Sequence, residues 1–217
     1  ASVENIGVTG ICGSGIIEAL AELFLCGTIT ADGLFNPDKA ELNSRIEKDG
    51  KTYRYLLHAG PPAIHITQID IRNIQLAKGA VYAGARLLMD KLAVDYVDRI
   101  VLTGAFGSYI DPKYAMVLGL IPDCSLSAVS AAGNAAGTGA RIALLDKTAR
   151  TEIASVVKDV EKIETALEPN FQDQFVNAMA FPHKIHPFSH LSKTVVLPQQ
   201  ETQISLNRKR RGRQRRR

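Results

Sequence analysis

Two turns of this chain put glycine where a flat ligand would need bare backbone. Thr103-Gly104-Ala105-Phe106-Gly107-Ser108 closes the apolar run from Arg99 to Leu102, and Gly133-Asn134-Ala135-Ala136-Gly137 forms a second glycine-rich turn. Glycine lacks Cβ, so such turns let backbone approach a ligand or adopt positive φ. Open parallel α/β sheets bind nucleotides in the loops at the carboxyl ends of their strands. The turn after Leu102 therefore predicts a nucleotide site. A third stretch, Gly10-Ile11-Cys12-Gly13-Ser14-Gly15, opens an apolar-periodic run from Ile16 to Leu25. Free N–H groups at a helix start suit a phosphate, which makes Gly13, Ser14 and Gly15 a second candidate. A tight packing turn is the plainer reading of that stretch.

Other reactive side chains point to less. His183, His186 and His190 have a spacing that could gather a transition metal. They stand beside Pro182 and Pro187 with no nearby cysteine or helix to hold them, so no metal site is expected. Cys12 sits where a helix N-terminus lowers a thiol pKa, but no histidine is close in sequence to make it a nucleophile. Cys12, Cys26 and Cys124 are too scattered for a disulfide framework, a zinc site or an iron–sulfur ligand set. Reduced thiols in a cytoplasmic protein are the expectation.

The elements that would position these groups follow from periodicity. Ile16, Ile17, Leu20, Leu23 and Phe24 share one helical face, with Gly27 as a C-terminal cap. Asp49-Gly50 between residues 42–47 and 52–57 predicts a hairpin, and residues 63–66 a further short strand. Thr67-Gln68-Ile69-Asp70 resembles a capping box with Asp in place of Glu. It opens a long helix over 70–92 whose buried face is expected at Ile71, Ile74, Ala77, Val81, Leu88 and Leu92. Residues 98–103 read as a buried strand, 112–118 as a short helix, and 126–129 as another strand leading into a helix through Leu145. Ile153, Val156, Val157, Val160, Ile163 and Leu167 form the stripe of one more helix, ended by Pro169. Asp111 is expected to cap a turn or helix.

At 217 residues with 46% apolar content, the chain has the size and composition of a globular α/β protein. No apolar run reaches membrane-spanning length, and no basic-then-apolar leader opens the chain. The net charge of +4 is a property of one end: residues 208–217 hold eight basic side chains and no acid. Removing those eight from 26 leaves 18 basic against 22 acidic groups, so the remainder carries −4. Residues 1–186 are expected to form the folded domain and 187–217 a disordered tail with a basic end. That end could neutralise nucleic-acid phosphates, but it lacks aromatics for base stacking.

The order of these motifs resembles the second half of the actin-like ATPase fold, with a ribonuclease H-like mixed sheet flanked by helices, found in sugar kinases, 70-kDa heat-shock chaperones and actin. Within it, Gly10 to Leu20, Asp70-Ile71-Arg72 with Gln75 to Ala80, Thr103 to Gly107 and Gly133 to Gly139 resemble the reductive activators of corrinoid proteins. The likeness runs over residues 5–183. It implies an ATP- and Mg2+-dependent activity that restores Co(I) in a corrinoid protein of methyl transfer, with a corrinoid protein as partner and a possible homodimer. Gly104, Ala105, Phe106 and Gly107 would then lie against the nucleoside. Gln75 and Lys78, one turn apart, would face the same cleft, although an exposed lysine on a solvated face is the plain alternative for Lys78. The family's [2Fe–2S] ferredoxin-like domain and its Asp-Ile-Gly-Thr phosphate loops have no counterpart here. No catalytic residue is assigned, and this chain alone is not expected to hydrolyse ATP. The alternatives are a related activator of an iron–sulfur dehydratase or reductase, and a non-catalytic fragment whose tail binds nucleic acid.

Overall fold

The computed structural model describes residues 7–198. Helix α1 (Gly13–Leu25) starts at Cys12, whose sulfur accepts the Gly15 N–H at 3.4 Å, and ends at Cys26. Gly27 follows at φ +72°, as the sequence predicts. Ile17, Leu20, Ala21, Leu23 and Phe24 make one apolar face and sit in the core. A short α2 (Pro37–Ala40) precedes the expected hairpin of β1 (Ile46–Asp49) and β2 (Thr52–His58), with Asp49 opposite Thr52. Strand β3 (Ile64–Thr67) adds to β2 in antiparallel sense.

The long helix α3 (Gln68–Lys91) begins with the anticipated capping box between Thr67 and Asp70. Its buried stripe is not the expected one. Ile71 is buried, but Val81 (55% exposed), Leu88 (54%) and Leu92 (73%) face outward, and Gln75, Lys78 and Tyr82 take the core-facing positions. The cause is what lies over the helix. Helix α8 (Phe171–Ala178) and the residues after it cover this stripe with backbone whose carbonyls need donors. Two polar side chains answer that need.

The second sheet holds β4 (Ile100–Leu102) and β5 (Val129–Ala131), paired in parallel with Ile100 opposite Val129. Strand β4 is shorter and less buried than expected, with Val101 45% exposed. Helices α4 (Gly104–Tyr109) and α5 (Pro112–Val117) follow β4, and Asp111 caps α5 by accepting the Lys113 N–H at 2.7 Å. Residues 126–128 form a 3-10 turn rather than a strand. Helices α6 (Ala135–Leu145) and α7 (Lys147–Lys158) pack on each other without burying a residue. The predicted helix through Leu167 ends at Lys158, so Val160, Ile163 and Leu167 lie outside it.

Residues 187–198 correct the expectation of a tail beginning at 187. Phe188, Leu191 and Val195 are buried in the core, and the Asp123 carboxylate accepts the His190 N–H at 2.8 Å and the Leu191 N–H at 3.0 Å. The folded unit therefore passes the expected boundary at 186. The basic run 208–217 lies outside the described residues.

Candidate functional site

The two glycine turns meet at the carboxyl ends of β4 and β5. Thr103 is extended, and Gly104 then takes φ +86°, a left-handed conformation that other residues adopt only with strain. The Gly104 N–H donates to the Gly133 carbonyl at 2.7 Å, and the Ala132 N–H donates to the Leu102 carbonyl at 2.8 Å. Those bonds lace the two turns into one rim. Asn134 caps α6 by accepting the Gly137 N–H at 2.9 Å, and the Ser108 hydroxyl donates to the Gly104 carbonyl at 2.8 Å. A Cβ built on Gly104 or Gly133 would meet nothing within 4 Å, so the backbone there borders open space. Ala105 is also exposed.

Gly107 behaves differently from the expectation that it lies against a nucleoside. It is buried, and a Cβ on it would stand 3.2 Å from the Leu102 Cβ, so its role is to pack the turn onto β4. Phe106 turns toward the start of α1, where its ring carbons lie 3.2 and 3.3 Å from the place of a Gly13 Cβ. The structure thus brings the Phe106 ring of the Gly104 turn against Gly13, at the start of the turn that holds Ser14 and Gly15. There the Ser14 hydroxyl and the Gly15 N–H hold the Cys12 thiol below the usual thiol range.

Gln75 and Lys78 are not at an open cleft. Lys78 is fully buried, and its ammonium donates to the Ala180 and Pro182 carbonyls at 2.5 and 2.8 Å while lying over the Phe181 ring. Burial pushes its pKa down to about 7. Gln75 donates through Nε2 to the Asp32 carbonyl at 3.1 Å and the Met179 carbonyl at 2.9 Å. Both side chains clamp residues 179–182 to α3. The signal missed in the sequence was their register: Ile71, Gln75, Lys78 and Tyr82 fall on one stripe at helical spacing.

Tyr82 extends this clamp to the histidines. Its hydroxyl lies 3.1 Å from His186 Nδ1, and the His183 and His186 rings stack at 4.2 Å. His183 Nδ1 accepts the Ile185 and His186 N–H groups at 3.1 and 2.8 Å, whereas His190 pairs with Asp123 at 3.3 Å. Burial, His186 and Lys78 push the His183 pKa down to about 3. Among the described residues no group of three or more His, Cys, Asp or Glu is placed to hold a metal ion. Asp111, the carboxylate that follows the Gly104 turn, is engaged in capping α5. Cys12 and Cys26 stand at opposite ends of α1, about 20 Å apart by helix rise, and Cys124 is buried. The three do not fit a [2Fe–2S] cluster.

Among the described residues no helix is long and apolar enough to cross a membrane. Over residues 1–192 the sequence matches the family described as the C-terminal domain of RACo, the ASKHA domain. It is 37% identical over 179 residues to the corrinoid activation enzyme RamQ of Eubacterium limosum, covering 77% of this chain and 30% of that protein. Its fold is similar to a solved reductive activator for corrinoid, iron-sulfur protein, with a TM-score of 0.71 at 34% identity, covering 80% of this chain and 28% of the other. The chain thus spans less than a third of the relatives it matches. Its helices and mixed sheets are of the actin-like kind, and the chain belongs to the family of the C-terminal ASKHA domain of RACo.

Proposed function

We propose that this chain forms the nucleoside-facing side of an ATP site in a reductive activator that returns a corrinoid protein of methyl transfer from Co(II) to Co(I). The observation that carries the reading is the laced rim of Gly104 and Gly133, bare backbone beside open space at the ends of two parallel strands. Loops at that place in a parallel sheet bind nucleotides, and the relatives named above are corrinoid activators. Gly104 and Ala105 would border the nucleoside, and Gly13, Ser14 and Gly15 would lie on the phosphate side. Gln75 and Lys78 would act by holding residues 179–182 to α3.

In an activator of this kind the reaction would be a one-electron reduction of cobalt. Bound ATP with Mg2+ would supply the free energy for that transfer. The three cysteines here do not fit an iron–sulfur carrier, so the electron would arrive from a [2Fe–2S] domain in another part of the protein.

Calorimetric titration of ATP with Mg2+ onto the chain tests the nucleotide site. Gly104→Val is expected to weaken binding by at least about tenfold, roughly 1.4 kcal/mol. Since φ +86° strains any side chain, Ala105→Trp serves as a second variant that blocks the rim without that strain. Unchanged affinity in both variants, with wild-type melting, rejects the assignment.

A further inference from the structure

Phe106 is the one large side chain of the Gly104 turn, and half of its surface (48%) stays in contact with water. The ring lies on the first turn of α1, so close that a Cβ on Gly13 would stand 3.2 Å from it. A side chain at 13 would require the ring to give by a few tenths of an ångström. The turn it covers is weakly held by its own cap. The first N–H groups of a helix have no intrahelical acceptor, and here the cap is a thiol, a weak acceptor, at 3.4 Å from the Gly15 N–H. Ile11 folds over Gly15 from one side, 3.1 Å from the position of its Cβ, and Phe106 covers Gly13 from the other. Deeper in α1, Leu20 and Phe24 are fixed in the core. The first turn, with Gly13 exposed and Ser14 and Gly15 half-buried, is the part of α1 least held by packing.

The other end of the contact is tied to the rim. The Phe106 carbonyl accepts the Ile110 N–H at 3.1 Å, and two residues before Phe106 the Gly104 N–H is bonded to Gly133. We infer that Phe106 is a positioning residue, a strut that orders the first turn of α1 and transmits the state of the Gly104 rim to it. Cys12, exposed at the N-cap, then reports on the strut. The transmission half of this inference rests on the nucleotide reading above. The ordering half does not.

The test is alkylation of Cys12 by iodoacetamide as a function of pH, resolved by peptide mass spectrometry, with exposed Cys26 as internal reference. Without ligand, Phe106→Ala is expected to raise the pH midpoint for Cys12 toward the usual thiol value, because the loosened cap no longer stabilises the thiolate. Phe106→Leu, which keeps apolar bulk, restores most of it, and Cys26 does not change. If Phe106→Ala melts early, Phe106→Val takes its place, being too short to reach Gly13. An unshifted midpoint in a folded truncation overturns the strut.

In the second arm ATP is added at saturation, with occupancy of each variant measured by calorimetry. The Cys12 rate in the wild type is expected to change by about threefold or more, since alkylation follows the thiolate fraction. In the truncation this response is lost. A full response without the ring overturns the coupling. If the wild type binds no ATP, the nucleotide reading fails, and the ligand-free arm still decides the strut.

Discussion

Protonating His183 would dismantle the turn it organises. Its Nδ1 accepts two backbone N–H groups, and a proton there would replace both bonds with repulsion. Burial first, then the neighbouring His186 and Lys78, resist the proton as well, and hold the pKa at about 3 against 6.5 for an ordinary histidine. A group with a depressed native pKa leaves stability intact above its unfolded value and removes it as pH falls. Urea midpoints followed by circular dichroism should drop progressively on going from about pH 6.5 down toward pH 3, below the range in which the depressed Lys78 pKa of about 7 acts. His183→Asn, which can accept one of those N–H groups and does not titrate, is expected to flatten that slope. An equally steep slope in the variant would contradict the role. Lys78 gives a second case. Lys78→Met fills the volume but leaves the Ala180 and Pro182 carbonyls without their donor, at a cost of about 2–3 kcal/mol in urea unfolding. The role of Lys78 was not legible from residue type, because its partners are backbone carbonyls 102 and 104 positions away.

Elements whose causes are local could be read directly. The hairpin at Asp49-Gly50, the capping box at Thr67 and Asp70, and the cap at Asp111 each depend on residues within a few positions, and each is present. What needed tertiary partners was misread. The stripe of α3 is decided by α8 lying over it, and α8 itself was overlooked behind Pro169-Asn170. Residues 187–198 look like a solvated tail by composition. Yet Phe188, Leu191 and Val195 recur at helical intervals and enter the core, anchored by Asp123. Asp123→Ala should release this segment, raising amide exchange at 188–195 by about tenfold or more, as expected for a local opening that loses roughly 1.4 kcal/mol. Exchange as slow as in the wild type would show that apolar packing holds the segment without the carboxylate.

The molecule divides into a dense body and a barer rim. The body is built from α1, α3, α5 and the C-terminal residues. The rim carries β4, β5 and the α6–α7 pair, none of whose helical residues is buried. The candidate site lies where the two meet. Its backbone part was legible because a site made of bare backbone is written in the sequence as glycine. The contact between Phe106 and Gly13 was not, since only folding brings positions so far apart in the chain together. The account stands on the claim that ATP approaches this rim and not the face of α3. Photolabelling with an azido-adenosine analogue of ATP, followed by peptide mapping, tests that claim most directly. The account predicts labelling within 103–107 and 133–139 that excess ATP suppresses. Labelling confined to peptides of α3, or labelling that ATP does not suppress, would contradict it.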